Sequence, residues 1–255
     1  MPKENNNPTS SYGLTDIGSK RERNEDNFCI DDDIGFYLVA DGMGGHANGD
    51  VASEMTTQYI LRQLVMNTQE SQHVISPDKA KDTLQYAITE TNTAIYTKNR
   101  ELGRSIGSGM GSAIAGLWLI PGNDNAWIFH AGDCRVYLFR NNALRQLTKD
   151  HTFYEQWVSD GRDGPAPNKN IILRALGPWP NITIDFQLFE PEHEDVILIC
   201  SDGLTDMVSD EAIMQELCDS STQNHEQTAR NLISLANTNG GKDNITVLLT
   251  QFNCS

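Results

Sequence analysis

The chain has 255 residues with 19 basic and 35 acidic side chains, a formal net charge of −16 at pH 7. This acidic balance argues against nonspecific binding to nucleic acid or to anionic lipid, and it favours clustered carboxylates that hold divalent cations. The five cysteines show no CxxC spacing, the start lacks the apolar core of a signal peptide, and no apolar run approaches the ~20 residues of a membrane span. We therefore expect a reduced protein of the cytoplasm.

The first residues are polar and rich in asparagine, so we expect a disordered lead-in over residues 1–11 and one folded domain over residues 12–255. Short apolar, β-branched and aromatic runs that end in Gly or Asp predict strands after it. The clearest of these runs are GFYLVAD, NAWIFHAGDCRVYLFR, ITIDFQLF, DVILICSDG and NITVLLTQF.

Segments with helical periodicity lie between the strands and predict three helices: residues 50–66, 77–101 and 225–238. Asp50 is the expected N-cap of the first, and Pro77 suits the first turn of the second. Residues 151–177 form an amphipathic start followed by a loop rich in Gly and Pro, an insert beside the site that the strands build. Because helices and strands are segregated, the order favours an α+β fold over a βαβ alternation.

Acidic residues follow the apolar strands in one repeated pattern, Asp-Gly or Gly-Asp at the strand end. The motifs are VADGMGG with Asp41, HAGDCR with Asp133, ILICSDGLTD with Asp202 and Asp206, and GGKDNITV with Asp243, and the pair Glu25-Asp26 precedes another short strand. A single Asp-Gly is a common turn dipeptide. Its recurrence favours a cluster of carboxylates at one sheet edge, where they repel each other unless cations neutralise them.

A cluster of oxygen ligands without a His or Cys set favours Mg²⁺ or Mn²⁺ over Zn²⁺. Two such ions ~3.5–4 Å apart could share Asp41, activate a water and orient it in line with a phosphorus atom. Phosphoryl transfer also needs a cation on the phosphate oxygens, for which an arginine fork is better suited than lysine. Arg21, Arg23 and Arg174 are the candidates, and the alternative for each is a solvated surface charge.

The motifs and their order resemble the metal-dependent serine/threonine protein phosphatase family (type 2C, or PPM), in particular its compact bacterial branch. The matching motifs run from about residue 12 to residue 252: RERNED, VADGMGGHANG, GMGSAIAG, HAGDCRVYLFRNNALRQLTKDH, ILRALG, ICSDGLTDMVSDE and GGKDNITVLL. The resemblance implies a four-layer αββα sandwich, two antiparallel sheets flanked by helices, with a dinuclear metal centre at one edge. It also implies hydrolysis of phosphoserine and phosphothreonine on proteins, opposing a serine/threonine kinase.

The resemblance implies the metal ligands residue by residue. Asp41 matches the bridging ligand of two Mn²⁺ or Mg²⁺ ions, and the Gly42 carbonyl matches a ligand of the second ion. Asp202 and Asp243 match the remaining protein ligands of the first. Asp133 matches an acid that, with the counterpart of Asp202, helps to bind a third metal in bacterial relatives.

Other residues match positions around the metals. Three acids match those that hold metal-bound waters: Glu25, Asp26 and Asp206. Arg21 matches the phosphate-binding arginine, so it is preferred over Arg23. His46 is a possible general acid, with local packing as the alternative. The insert of about residues 151–172 corresponds to the flap, which is thought to influence substrate choice.

One departure from the family pattern is Ser112-Ala113, where a threonine is common, so a hydroxyl is lost or displaced by one position. Two other classes of function remain open at this point. The chain could be a pseudophosphatase that binds phosphoproteins, which the complete set of acids disfavours, or a structural cation-binding module, which Arg21 disfavours. The expected partners are phosphorylated proteins and a cognate serine/threonine kinase, with no nucleic acid or membrane, and the expected state is a monomer.

Overall fold

The computed structural model describes residues 9–44, 48–69, 74–219 and 224–253. Within these ranges the strands are β1 (Thr9–Asp16), β2 (Asp26–Asp31), β3 (Phe36–Met43), β4 (Gly111–Leu119), β5 (Ala126–Ala131), β6 (Arg135–Arg140), β7 (Ala143–Gln146), β8 (Asp185–Phe189), β9 (Val196–Cys200) and β10 (Ile245–Phe252). The helices are α1 (Gly49–Gln69), α2 (Pro77–Glu101), α3 (Phe153–Ser159), α4 (Asp202–Thr205), α5 (Asp210–Asp219) and α6 (His225–Thr238).

The strands form two antiparallel sheets that pack face to face. Sheet A has the order β1-β10-β9-β6-β7, and sheet B has the order β2-β3-β4-β5-β8. Helices α1 and α2 cover the outer face of sheet B, and α4, α5 and α6 cover the outer face of sheet A. The four-layer αββα architecture of the α+β class is therefore confirmed. None of the helices in the described ranges has the length and apolar character that a membrane crossing requires.

Strand β3 shows how the layers form and where the acids are placed. Alternate side chains of a strand face opposite sides of its sheet. Tyr37 and Val39 accordingly pack between the two sheets, whereas Phe36 and Leu38 pack against the helices. Because both faces are covered, the strand is apolar throughout until Asp41, which has the same parity as Tyr37 and Val39. Asp41 is therefore at the end of the layer between the sheets.

The start of the fold differs from the expected lead-in. Strand β1 begins at Thr9, which pairs with Phe252, and Ser10 pairs with Gln251. Residues 9–11, expected to be disordered, therefore belong to an edge strand. Residues 1–8 lie outside the described ranges.

The helices follow the predicted periodicity, with one error at a terminus. Helix α1 begins at Gly49, and Asp50 lies inside its first turn, where its Oδ1 accepts the Val51 N–H at 2.8 Å. The prediction of Asp50 as the N-cap is wrong. Helix α2 begins at Pro77 as predicted, and the side chain of Ser76 caps it by accepting the Lys79 N–H.

The insert between β7 and β8 leaves the sheets through a short two-stranded stem. Thr152 pairs with Ile172 in an isolated antiparallel bridge, and the Phe153 N–H donates to the Ile171 carbonyl at 2.8 Å. Helix α3 follows this stem and projects from the sandwich. We use the name flap for residues 151–172 throughout.

Candidate metal centre

Five of the predicted acids converge at one edge of the sandwich. Asp26 and Asp41 are paired in register at the start of β2 and the end of β3. Asp202 lies two residues after the end of β9. Asp243 lies two residues before β10, and Asp133 lies two residues before β6. Since neighbouring strands are antiparallel, these strand starts and strand ends meet at the same edge. The topology therefore explains why one local motif recurs along the chain.

Asp26 joins the two sheets through one carboxylate oxygen. Its Oδ2 accepts the hydroxyl of Ser201 at 2.7 Å and the hydroxyl of Thr246 at 2.7 Å, both from sheet A. Burial raises the pKa of Asp26 to about 6, although the two hydroxyl donors oppose this rise. Hydrogen bonds to an ionised carboxylate are among the stronger ones in proteins. These two bonds hold the sheets together at the edge where the acids converge.

In Asp41, Asp202 and Asp133 the charged form of the carboxyl group is disfavoured when no cation is bound. Burial raises the pKa of Asp41 well above its usual value, and the charges of Asp26 and Asp202 raise it further. Burial also raises the pKa of Asp202, followed by the charge of Asp133. Burial and then the charge of Asp150 raise the pKa of Asp133 to about 7. A bound cation reverses these effects because it favours the charged carboxylates.

Two oxygens in this cluster have no hydrogen-bond donor among the described residues. They are Oδ1 of Asp133 and Oδ1 of Asp202, and both are buried. Leaving a buried acceptor unsatisfied costs free energy, so natural structures normally give such an atom a partner. A hard divalent cation is the partner that fits carboxylate oxygens in this setting. The donor set therefore fits Mg²⁺ or Mn²⁺.

Gly42 has no space for a side chain. A Cβ at this position would lie 2.1 Å from the Gly49 carbonyl oxygen and 2.4 Å from the Glu25 carbonyl oxygen. The Gly42 N–H donates to that Glu25 carbonyl at 3.1 Å. The Glu25 N–H in turn donates to Oδ1 of Asn244 at 2.9 Å. Glycine is required here because the start of α1 and the loop before β2 both pack directly on its backbone.

Arg21 is the candidate arginine that the structure brings to the acids. Its Nη2 lies 2.6 Å from Oδ2 of Asp243, and its side chain is about half exposed. Partial burial is the largest single effect and lowers the pKa of Arg21, but the charge and hydrogen bond of Asp243 together with the charges of Glu25 and Asp41 raise it overall. Arg174, another candidate, is bound to Asp185 through Nη1 at 2.7 Å. The side chain of Arg23 is exposed, and the structure records no partner for it within the described residues.

A small cavity separates the acids from the flap. Its volume is about 140 Å³, and the acids Asp133, Asp202 and Asp206 line one side of it. Tyr154 and Lys169 of the flap line the other side, with the Lys169 ammonium 4.9 Å from the centre of the Tyr154 ring. A larger cavity of about 870 Å³ lies at the opposite end of sheet A and contains none of the predicted site residues.

Three supporting residues were not identified from the sequence. They are Ser201, Thr246 and Asn244, which hold the backbone or a carboxylate in place through hydrogen bonds. Asn244 donates from Nδ2 to the carbonyls of Ile17 and Arg23, and so fixes the loop that carries Arg21. Ser201 directly precedes Asp202, Asn244 directly follows Asp243, and Thr246 lies three residues beyond Asp243. Their closeness in sequence to a predicted acid was the signal from which they could have been identified.

Two sequence expectations concern the neighbours of Asp41 and Gly42. Ala113 pairs with Asp41 across β3 and β4, and Ser112 pairs with Gly42. The Ser112 hydroxyl donates to the Ala113 carbonyl at 3.0 Å, so it is used within its own strand. The position opposite Asp41 thus presents a methyl group in place of a hydroxyl. His46, the possible general acid, lies outside the described residues.

A second group of ionisable side chains lies beside the flap stem. The ligand atoms of His130, His151 and Asp185 lie within 4.8 Å of one another. The two imidazole rings are stacked, with centroids 4.3 Å apart and planes 12° from parallel. Ring nitrogens direct their lone pairs within the ring plane, so stacked rings do not point at one ion. The Arg174 guanidinium also lies 2.9 Å from Nε2 of His151, which makes this group a poor cation site.

Comparison with known proteins places the chain among phosphatases. The sequence profile of the family described as protein phosphatase 2C matches residues 19–238. The serine/threonine phosphatase Stp of Listeria innocua is 38% identical over 250 residues, which cover 94% of this chain and 94% of that protein. The crystal structure of the Mycobacterium tuberculosis serine/threonine phosphatase PstP/Ppp has a TM-score of 0.82 and 30% identity, covering 96% of this chain and 99% of that one. The catalytic domain of PstP in complex with two manganese ions has a TM-score of 0.79 and 30% identity, with 96% and 99% coverage.

Proposed function

Because this chain belongs to the protein phosphatase 2C family and is a serine/threonine phosphoprotein phosphatase, we propose that its acidic edge is the catalytic metal centre. The observation that carries this proposal is the convergence of buried carboxylates whose charges repel, two of which, Asp133 and Asp202, have an oxygen without a donor among the described residues. The ions are Mn²⁺ or Mg²⁺, two in the central pair and a third beside it.

The ligand roles are those that the family resemblance implies. Asp41 would be shared by the two ions of the central pair, with the Gly42 carbonyl on one ion and with Asp202 and Asp243 on the other. Asp133 would join Asp202 at the third ion. The unpaired Oδ1 atoms of Asp133 and Asp202 on a shared cavity support this last assignment.

The bound ions supply a water of lowered pKa and polarise the phosphoryl oxygens. The chain itself binds and orients the reactants. Arg21 exchanges its bond to Asp243 for the phosphate group, which its planar fork fits. Glu25, Asp26 and Asp206 accept hydrogen bonds from water at the site. His46 is proposed as the donor of a proton to the departing serine or threonine oxygen, as in the expectation drawn from the sequence.

We also propose a cellular role for the enzyme. The substrates are phosphoproteins made by a serine/threonine kinase, and the enzyme counteracts that kinase. We place it in the cytoplasm as a monomer with one catalytic domain, which includes β1 from Thr9 onward, and a flap over residues 151–172. The net charge of −16 disfavours binding to an anionic surface. The fully buried thiols of Cys134 and Cys200 support a reducing compartment.

Hydrolysis of a phosphothreonine peptide by the purified protein tests the proposal. Turnover should require Mn²⁺ or Mg²⁺, stop in chelator and fall at least ~100-fold in Asp41→Ala and Asp243→Asn, since both remove a group that places charge at the reacting phosphate. Asp33→Asn is the matched control, because Asp33 is an exposed acid in the turn at the opposite end of β2 and β3. Equal turnover in chelator, or full activity in both site variants, would refute the metal centre. Intact metal binding without turnover would favour the pseudophosphatase alternative.

A further inference from the structure

His151 fastens the flap to the residue that precedes Asp133. Its backbone N–H donates to the Gly132 carbonyl at 2.8 Å. Its ring Nδ1 lies 3.2 Å from the Gly132 nitrogen and accepts the N–H of that residue. One residue at the start of the flap thus holds both polar backbone groups of Gly132, and the chain continues from there into Asp133.

The ring of His151 makes contacts at both of its nitrogens. Nδ1 accepts the Gly132 N–H, and Nε2 lies 3.2 Å from Oδ2 of Asp185 and 2.9 Å from Nη1 of Arg174. The other oxygen of Asp185 accepts from Arg174, two residues beyond the end of the flap, at 2.7 Å. Burial and the stacked ring of His130 lower the pKa of His151 to about 4, so the ring is neutral near pH 7. Asp185 therefore links the two ends of the flap stem.

The turn at Gly132 has no space for a side chain. Its φ is +120°, and a Cβ there would lie 2.4 Å from Cβ of Ala113 on β4. The carbonyl oxygen of Arg174 lies on the same side at 3.3 Å from that position. Because His151 holds both backbone polar groups of Gly132, a displacement of the flap stem would pull on Gly132 and on the adjacent Asp133, whose buried Oδ1 has no donor among the described residues.

We propose that His151 is a positioning residue that fixes Asp133 for the third cation and so couples occupancy of that cation to the flap. The proposal rests on the third-cation role given to Asp133 and Asp202 under the proposed function. The flap side chains Tyr154 and Lys169 line the same cavity as these two acids, so the flap closes one side of the site that its own stem orients. Filling the site and ordering the flap then favour each other.

Two near-isosteric variants separate the two contacts of the ring. His151→Asn places an amide oxygen where Nδ1 lies and keeps an acceptor for the Gly132 N–H, but it loses the contact with Asp185. His151→Gln reaches the Nε2 position and keeps the contact with Asp185, but it offers nothing to Gly132. Asp133→Asn serves as the reference that removes the proposed site itself.

The experiment measures Mn²⁺ binding at equilibrium, by stoichiometry and affinity, together with exchange of the Gly132 amide proton in the metal-free protein. We expect His151→Gln to weaken the weakest Mn²⁺ site by about 10–100-fold, the usual effect of losing a partner behind a ligand, with the tighter sites unchanged. We expect His151→Asn to restore that site to within about threefold of the wild type on the same scale. The Gly132 amide should exchange faster in His151→Gln alone.

The outcomes distinguish this inference from the proposed function. If Asp133→Asn leaves the number of bound Mn²⁺ ions unchanged, the third-cation assignment is wrong and the coupling falls with it. If Asp133→Asn removes a site while His151→Gln and His151→Asn bind it equally well, the positioning role is overturned and the metal centre stands. If His151→Gln fails to fold, Asp185→Asn replaces it as the test of the proposal. Asp185 is half exposed and acts through the ring of His151. It should weaken the same site, and an unchanged site would overturn the proposal.

Discussion

Arg21 and Asp243 form an ion pair, with 2.6 Å between Nη2 and Oδ2, at the edge where the acids converge. The proposed phosphate-binding cation and a proposed metal ligand are thus partners of each other. The second oxygen of Asp243, Oδ1, accepts the Asn244 N–H at 2.8 Å. When cations take Asp243 and a phosphate takes Arg21, both members of the pair exchange partners together, so neither charge is left unpaired.

This exchange predicts the kinetic effect of Arg21. Arg21→Ala should raise KM for a phosphothreonine peptide by about 10–100-fold with a smaller change in kcat, since a hydrogen bond to a charged group contributes about 1.5–3 kcal/mol. Arg21→Lys keeps the charge without the planar fork and should give an intermediate KM. Steady-state kinetics at saturating Mn²⁺ measure both. A loss confined to kcat would show that Arg21 acts on the reaction step and not on phosphate binding.

The close packing around Gly42 predicts a loss of both stability and metal binding in Gly42→Ala. The added Cβ would lie 2.1 Å from the Gly49 carbonyl, so the start of α1 or the Gly42 carbonyl must shift. We expect unfolding free energy to fall by about 1–3 kcal/mol, as for other overpacked sites, and Mn²⁺ affinity to fall with it. Gly103→Ala is the control for a Cβ added in open space, because no atom lies within 4 Å there and only its φ of +72° strains the substitution. Equal effects in the two variants would mean that packing at Gly42 is unimportant.

The raised carboxyl pKa values predict that the metal-free protein loses stability from pH 6.5 to pH 8. Asp133, with a pKa of about 7, still holds protons in this range that the unfolded chain has released, and Asp41 and Asp202 are shifted in the same direction. The native state then binds more protons than the unfolded state, so stability falls as pH rises. The lowered pKa of His151 has the opposite effect, but mainly below the unfolded histidine pKa of about 6.5.

Thermal unfolding in chelator at several pH values measures this dependence. Each kcal/mol lost should lower Tm by about 2–4 °C for a chain of this size. Asp133→Asn should flatten the slope, because the amide does not titrate. Saturating Mn²⁺ should remove the loss, since cations favour the ionised acids. A metal-free protein whose Tm rises over this pH range would contradict the electrostatic account of the site.

The hydroxyl donors to Asp26 predict a paired set of stability effects. Thr246→Val removes one of the two donors to Oδ2 and should cost about 1.5–3 kcal/mol at pH 8, where the carboxylate is charged. Thr246→Ser keeps the hydroxyl and should cost less. Denaturant unfolding at pH 8 and pH 5 compares the two. The difference between them should shrink at pH 5, below the Asp26 pKa of about 6, because the protonated carboxyl depends less on the donor.

The family, the layered fold and the convergence of the acids could all be predicted from the sequence, and the comparisons and topology confirm the family and the fold. Local signals were sufficient for helix α2, where Pro77 indicates the first turn and the helical periodicity of apolar residues such as Leu84 and Ile88 indicates the buried face. The shared edge of the acids follows from their common place at strand ends. The assignment of individual ligands stays a prediction.

The features that the sequence did not predict depend on contacts between distant residues. Thr9 is in a strand because its partner Phe252 is supplied by the other end of the chain. Helix α1 starts at Gly49, one residue before the expected cap, where the Glu25 side chain packs against the first turn. The hydroxyls of Ser201 and Thr246 meet Asp26 only after the two sheets have packed. No local pattern contains this information.

The bonds that tie Asp26 to the opposite sheet make the geometry of the proposed metal site depend on the thickness of the central core. Its Oδ2 can keep both hydroxyl donors only while the sheets hold their present separation. Residues such as Val39 and Leu248, which fill the layer between the sheets, set that separation from within. A larger or smaller side chain there would retune cation affinity without changing any ligand. Substitutions in the hydrophobic interior can therefore change cation affinity at the proposed site while every acid stays in place.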